Sequence, residues 1–163
     1  MNKEEILNEI EKTKEHLANM EKMLEECECA RWTPIDSEMY YFVDSYGKIV
    51  ADMFCSADSI DSQRYKNYNC FQTREQAETE AEKILVRRML EDIARRLNKG
   101  IKIDWYDNEQ SKYCIELYCN DIITNFYYGH KTQGAVYCLD ENFKDIAIQE
   151  IGEERLKAHL RGE

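Results

Sequence analysis

The chain has 163 residues, 43% of them apolar, and its 33 Asp and Glu outweigh 22 Lys and Arg to give a net charge of −11. That suits one domain or two very small ones, with enough apolar material for a core and too much for a disordered chain. No run approaches the roughly 20 apolar residues of a membrane span, and the charge excludes a general nucleic-acid binder, which needs a basic footprint.

Residues 3–28 read as one helix. Ile6, Ile10, Thr13, Leu17, Met20, Leu24 and Cys27 alternate steps of four and three, an unbroken a/d heptad register. About three heptads are too short to stand alone, so this helix needs a second copy or the rest of the chain as partner. Ile6, Ile10, Leu17, Met20 and Leu24 are the candidate dimerisation residues. Trp32 and Pro34, the only proline, end the helix. Residues 39–55 read as a hairpin turning at Tyr46-Gly47-Lys48. Residues 56–68 are polar without a clear period and read as a loop, with room for a short turn of helix. A short strand over Asn69–Gln72 leads to Thr73.

Thr73 with Gln76 forms the pattern of a capping box, and Gly100 lies just past the end of a helix that runs to Asn98. Its glutamates come early and its arginines late, which suits the helix dipole. Ala77, Ala81 and Ile84 share one face, while Val86, Leu90, Ile93 and Leu97 lie nearly opposite. The two halves are therefore expected to cover different elements, the first half its own hairpin. Arg87–Glu91–Arg95 and Arg88–Asp92–Arg96 read as two i,i+4 charge ladders rather than a phosphate site. Beyond Gly100, Tyr113–Tyr118 and Ile122–Tyr128 form a second hairpin and Gly134–Leu139 a short strand. Asp140 caps a helix to about Ile151, Gly152 breaks it, and Glu153–Leu160 makes a last helical piece.

The two halves echo each other. At an offset of 72, Tyr41, Val43 and Tyr46 match Tyr113, Ile115 and Tyr118; at 66, Phe71, Glu75, Ala81 and Leu85 match Tyr137, Glu141, Ala147 and Ile151. The expected architecture is α+β: an N-terminal heptad-patterned helix over residues 1–30, then two degenerate β-β-β-α units over 31–98 and 101–163. Each unit is a small antiparallel sheet covered by its helix.

No phosphate loop, Gly-x-Ser-x-Gly, His-Glu-x-x-His or Cys-x-x-Cys occurs. The seven cysteines are odd in number and the first residues lack the apolar core of a secretory signal, so they read as reduced thiols in a cytosol. No metal, cofactor or catalytic residue is expected; His130 is the one plausible base for a nucleophilic cysteine, and nothing in the spacing joins it to one. Charge concentrates at the ends: residues 1–30 hold nine acids and four bases, residues 140–163 seven and four. Such a helix can imitate a phosphate track, or simply be a solvated face. Eleven tyrosines are too many to bury with every hydroxyl satisfied, and tyrosine among acids suits a protein-binding surface. Glu9, Glu11, Glu15, Asp58, Asp61, Tyr65 and Tyr68 are the candidate partner-binding residues.

The run Trp32-Thr33-Pro34, Tyr40-Tyr41-Phe42-Val43-Asp44, Asp61, Arg64-Tyr65 and Asn69-Cys70-Phe71-Gln72-Thr73 resembles a group of small phage and prophage proteins of Gram-positive bacteria. Ile148–Leu156 resembles the ending of the same group, whereas Ala135–Cys138 departs from its strand pattern. The resemblance spans about 31–163. It implies a mobile-element setting and a host cytoplasm, and it carries over no catalytic residue. Two functions are expected from these features together. One is a non-enzymatic inhibitor of a host defence complex, such as an anti-CRISPR protein that fills a basic channel. The other is a structural or regulatory phage accessory protein that dimerises through residues 3–28.

Overall fold

The chain alternates short strands with polar helix signals, and it folds as a mixed α+β protein, with two small antiparallel sheets among the described residues. The structure, a computed structural model, describes residues 12–17, 20 and 31–162. Residues 12–17 are helical and exposed; Ile6, Ile10, Leu24, Glu9 and Glu11 lie outside the described residues.

β1 (Met39–Val43) and β2 (Ile49–Met53) form the first hairpin, with Tyr41 opposite Ala51. Asp44 makes its turn: one carboxylate oxygen accepts from the backbone N–H of Tyr46 and of Lys48, each at 2.8 Å, and Gly47 takes φ +82°. Tyr40 and Phe42 alternate onto one face and are buried with Phe54 and Cys70, with Trp32 and Tyr65 packed alongside.

The polar stretch after the hairpin is a helix, not the loop its composition suggests: α1 spans Ser59–Lys66. Asp58 caps it by accepting from the Ile60 N–H at 2.7 Å. An amphipathic stripe does not hold α1. A buried polar network does, and periodicity cannot see that. The Asn69–Gln72 strand is likewise reduced to one bridge, Tyr41 to Phe71. Asn69 extends it with its side chain, whose amide both accepts from and donates to the Val43 backbone at 2.8 Å. Together these seal the outer edge of β1.

α2 (Arg74–Leu97) begins at the expected capping box of Thr73 and Gln76. Its first half lies over β1 and β2 and buries Ala77, while its second half enters a second core with Val86, Leu90 and Ile93. That core is completed by β3 (Lys112–Tyr118), β4 (Asp121–Tyr127), β5 (Tyr137–Cys138), α3 (Phe143–Ile151) and α4 (Glu153–Arg161). β3 is the central strand of this sheet, in the order β4-β3-β5. β5 is two residues rather than the six expected over 134–139. Asn142, not Asp140, is the N-cap of α3; the Asp140 carboxylate accepts from the Asn142 N–H at 2.9 Å just before it. Gly152, at φ +96°, ψ 140°, separates α3 from α4.

The arginines of α2 are bound into a charge lattice, with one change from the expected ladders. Arg87 meets Glu91 at 3.0 Å, but Asp92 takes both Arg95 and Arg96, and Arg96 also reaches Glu150 at 2.5 Å. Arg88 is left outside the lattice and exposed.

Candidate functional site

Three places combine unusual chemistry. The first is the network that fixes α1. Tyr40 is fully buried and donates its hydroxyl to Asp61 at 2.6 Å, and the same oxygen accepts from Arg64 at 2.6 Å. Arg64 also pairs with Asp61 at 3.1 Å and Asp52 at 3.2 Å, and its guanidinium lies 3.6 Å over the Phe42 ring. The second oxygen of Asp61 accepts from the Cys55 N–H at 3.0 Å. Burial, then the bond to Asp61, pushes the Tyr40 phenol well above its ordinary range. Every group here is satisfied from within. Asp61, only 5% exposed, therefore corrects its reading as a partner-binding residue: its carboxylate is spent on folding.

The second place is the face of the second sheet turned away from the helices. Glu116 accepts from the Tyr127 hydroxyl at 2.7 Å and from Asn125 at 3.0 Å, and the Cys114 thiol approaches it at 3.4 Å. Those bonds, Asn125 first, hold the Glu116 carboxyl below its ordinary range. Burial, then the bond to Glu116, pushes the Cys114 thiol up to about 12. A thiol so protonated is a poor nucleophile. His130 stacks edge-on against Tyr127 with ring centroids 4.8 Å apart rather than serving a cysteine. Lys112, fully buried, runs beneath Trp105 and donates to the Asp107 carbonyl at 2.5 Å. This face is a closed polar layer. No group of three His, Cys, Asp or Glu that could hold a metal occurs among the described residues.

The third place is open. A groove of about 670 Å³ lies between the turn end of the first hairpin and α2. Its floor is apolar: Val43, Ile49, Phe71, Ala81, Ile84 and Leu85. Ile84 and Leu85 are 36% and 46% exposed, whereas the other apolar residues of α2 are buried or half-buried. Tyr46 and Tyr68 stand at its edge, 87% and 73% exposed. Tyr68 is held there at φ +60°, in the left-handed region, where a bulky residue is rare. The lining carries four carboxylates, Asp44, Glu78, Glu80 and Glu82, against the single guanidinium of Arg88. Glu78 and Glu82 also pair outward, with Arg74 and Arg155.

Of the residues singled out from sequence, the groove gathers Tyr68 alone. Tyr65 is half-buried beside it, its hydroxyl 2.9 Å from Thr33 Oγ1, and the Arg31 guanidinium sits 3.9 Å from the Tyr65 ring centre and 4.1 Å from that of Tyr68. Asp58 is used as a cap, and Glu15 is exposed on the N-terminal helical segment. Tyr46, Glu78, Ile84 and Leu85 were not singled out. The available signal was the second apolar face of α2, where Ala81 and Ile84 lie opposite the main stripe.

No helix among the described residues is long and apolar enough to cross a membrane. Comparison with protein-family models, with curated proteins and with solved structures finds no match.

Proposed function

We propose that the protein is a non-enzymatic binding protein of a phage or prophage, acting in the host cytoplasm on a protein of the host. In its sharpest form the target is an RNA-guided nuclease or another nucleic-acid-processing defence complex. One observation carries the binding reading: an apolar groove left open between Leu85 and Ile49, edged by carboxylates and by two tyrosines exposed beyond 70%. Exposed tyrosine beside a concave apolar surface is the composition of interaction hot spots. The phage setting rests on the resemblance of residues 31–163. The pairing of each hairpin's first strand with the segment before the next helix, Tyr41 with Phe71 and Tyr113 with Cys138, supports reading the two units as copies.

The test is affinity capture from lysate of a Gram-positive host at about 150 mM salt, where exposed charge contacts beyond roughly 8 Å are screened. A defence complex retained by the wild-type protein and lost by the Tyr46→Ala/Tyr68→Ala double variant is the expected result. Retention of nothing, or equal retention by both proteins, overturns it.

A second reading is favoured by Leu17 and Met20. Both occupy heptad seam positions, both are helical, and both are 51% exposed. An accessory protein that self-associates through Ile6, Ile10, Leu17, Met20 and Leu24 would present such a seam to a second copy. Sedimentation of the full chain decides: a dimer that Leu17→Asp/Met20→Asp converts to monomer supports it, and a monomer at all concentrations removes it.

A further inference from the structure

Resting on the protein-binding reading above, we propose that the groove between the first hairpin and α2 takes an amphipathic helix of a partner protein, with Lys or Arg flanking its apolar stripe.

The shape argues for a helix. The α2 wall of the groove is the row Glu78, Ala81, Glu82, Leu85 and Arg88, at positions i, i+3, i+4, i+7 and i+10. The ten steps from Glu78 to Arg88, at about 1.5 Å each, make it about 15 Å long, close to three helical turns. Apolar residues at i, i+3, i+4 and i+7 of a docked helix would face the apolar floor made by Val43, Ile49, Phe71, Ile84 and Leu85. An extended strand has no ladder to join here, because Asn69 and Phe71 already occupy the free edge of β1.

Charge selects the occupant. Glu78 and Glu82 are already paired with Arg74 and Arg155, so the negative balance of the rim rests on Asp44 and Glu80 against Arg88; it still disfavours phosphates, and with them nucleic acid and anionic lipid headgroups. The protein's own N-terminal segment is disfavoured too, in this chain or from a second copy: residues 1–30 hold nine acids against four bases. A cationic helix is attracted by the rim. Its Lys or Arg side chains also find the faces of Tyr46 and Tyr68, as Arg31 already does against Tyr68. Arg88, which the α2 charge lattice leaves out, sits at the far end of the row and fixes the register by rejecting a cation there.

The probe is a pair of synthetic helical peptides of about 18 residues sharing one leucine stripe, flanked by Lys in one and by Glu in the other. Backbone amide shifts of the full-length protein are followed on titration. The Lys peptide is expected to shift Val43, Phe71 and Leu85 and to bind about tenfold more tightly than the Glu peptide. Leu85→Glu is expected to weaken it by about tenfold or more. Leu85 is nearly half exposed, so this variant keeps the wild-type circular dichroism spectrum. Equal affinity for the two peptides, shifts confined to another surface, or no effect of Leu85→Glu overturns the proposal. The broader reading fails separately. If a captured partner depends on Tyr46 and Tyr68 but not on Leu85, protein binding stands and the groove helix falls. If neither matters, both fall.

Discussion

Asp61 shows how one polar residue can stand in for a hydrophobic stripe. It sits inside an eight-residue helix with no apolar face, yet it is only 5% exposed and takes bonds from Tyr40, Arg64 and the Cys55 backbone. Removing it takes the acceptor from the buried Tyr40 O–H and from the Cys55 N–H at once, and a buried donor left without a partner costs more than its bond contributed. Asp61→Ala is therefore expected to lower the unfolding free energy by about 3 kcal/mol, and Tyr40→Phe, which leaves Asp61 its other two donors, by about 1 kcal/mol. Urea titration of both variants measures this, and equal losses would contradict the ranking. Glu116 is the titratable counterpart in the second sheet. Its folded carboxyl titrates below the ordinary value of 4.5 because Asn125 and Tyr127 bond the charged form. The unfolded chain then binds the proton first. The stabilisation is complete above 4.5 and is lost as the pH falls through the lower folded value. Across that window the wild-type protein should lose stability relative to Glu116→Gln, and parallel pH profiles would remove the carboxylate from the account.

At the scale of elements, glycine and caps decide where helices stop. Gly152 joins α3 to α4 at φ +96°, ψ 140°, a conformation that residues with a side chain rarely adopt. A Cβ built there meets nothing within 4 Å, so Gly152→Ala isolates the backbone cost from any steric one. The expected loss is about 2 kcal/mol in thermal or urea unfolding, and a loss under about 0.5 kcal/mol would mean the junction relaxes to another conformation. This break was legible in the sequence, as were the Thr73 capping box, both hairpins and the two-faced α2, because each follows from short-range pattern. α1 was not legible, since its burial rests on a pairing between Asp61 and Tyr40, twenty-one positions apart. The outer strands were legible in place but not in extent. Phe71 contributes one bridge and Tyr137–Cys138 two residues, because their length depends on which neighbour the sheet finds. The candidate groove was half legible. The uncovered Ala81–Ile84 face could be read from the helix, but only the folded hairpin brings Tyr46 and Ile49 up to it.

For the whole molecule the decisive feature is that one helix serves two cores. α2 covers the first sheet with Ala77 and fills the second core with Val86, Leu90 and Ile93. A sheet of two strands is marginal on its own, so the first unit depends on α2 staying helical along its length. Damage to the second core should therefore reach the first. Leu90, 4% exposed in the second core, supplies the test: Leu90→Ala leaves a cavity and should cost about 3 kcal/mol. The two tryptophans report on the two units separately. Trp32 packs against the Tyr40 cluster, and Trp105 meets the edge of Tyr137 with ring centroids 4.9 Å apart. Single-tryptophan proteins made by Trp32→Phe or Trp105→Phe can then be unfolded with and without Leu90→Ala. If α2 couples the cores, both tryptophans follow one transition, and the substitution moves both midpoints by the same amount. If Trp105 moves and Trp32 does not, the units unfold independently. The groove, built from the first hairpin and α2, would then stay intact when the second core is lost.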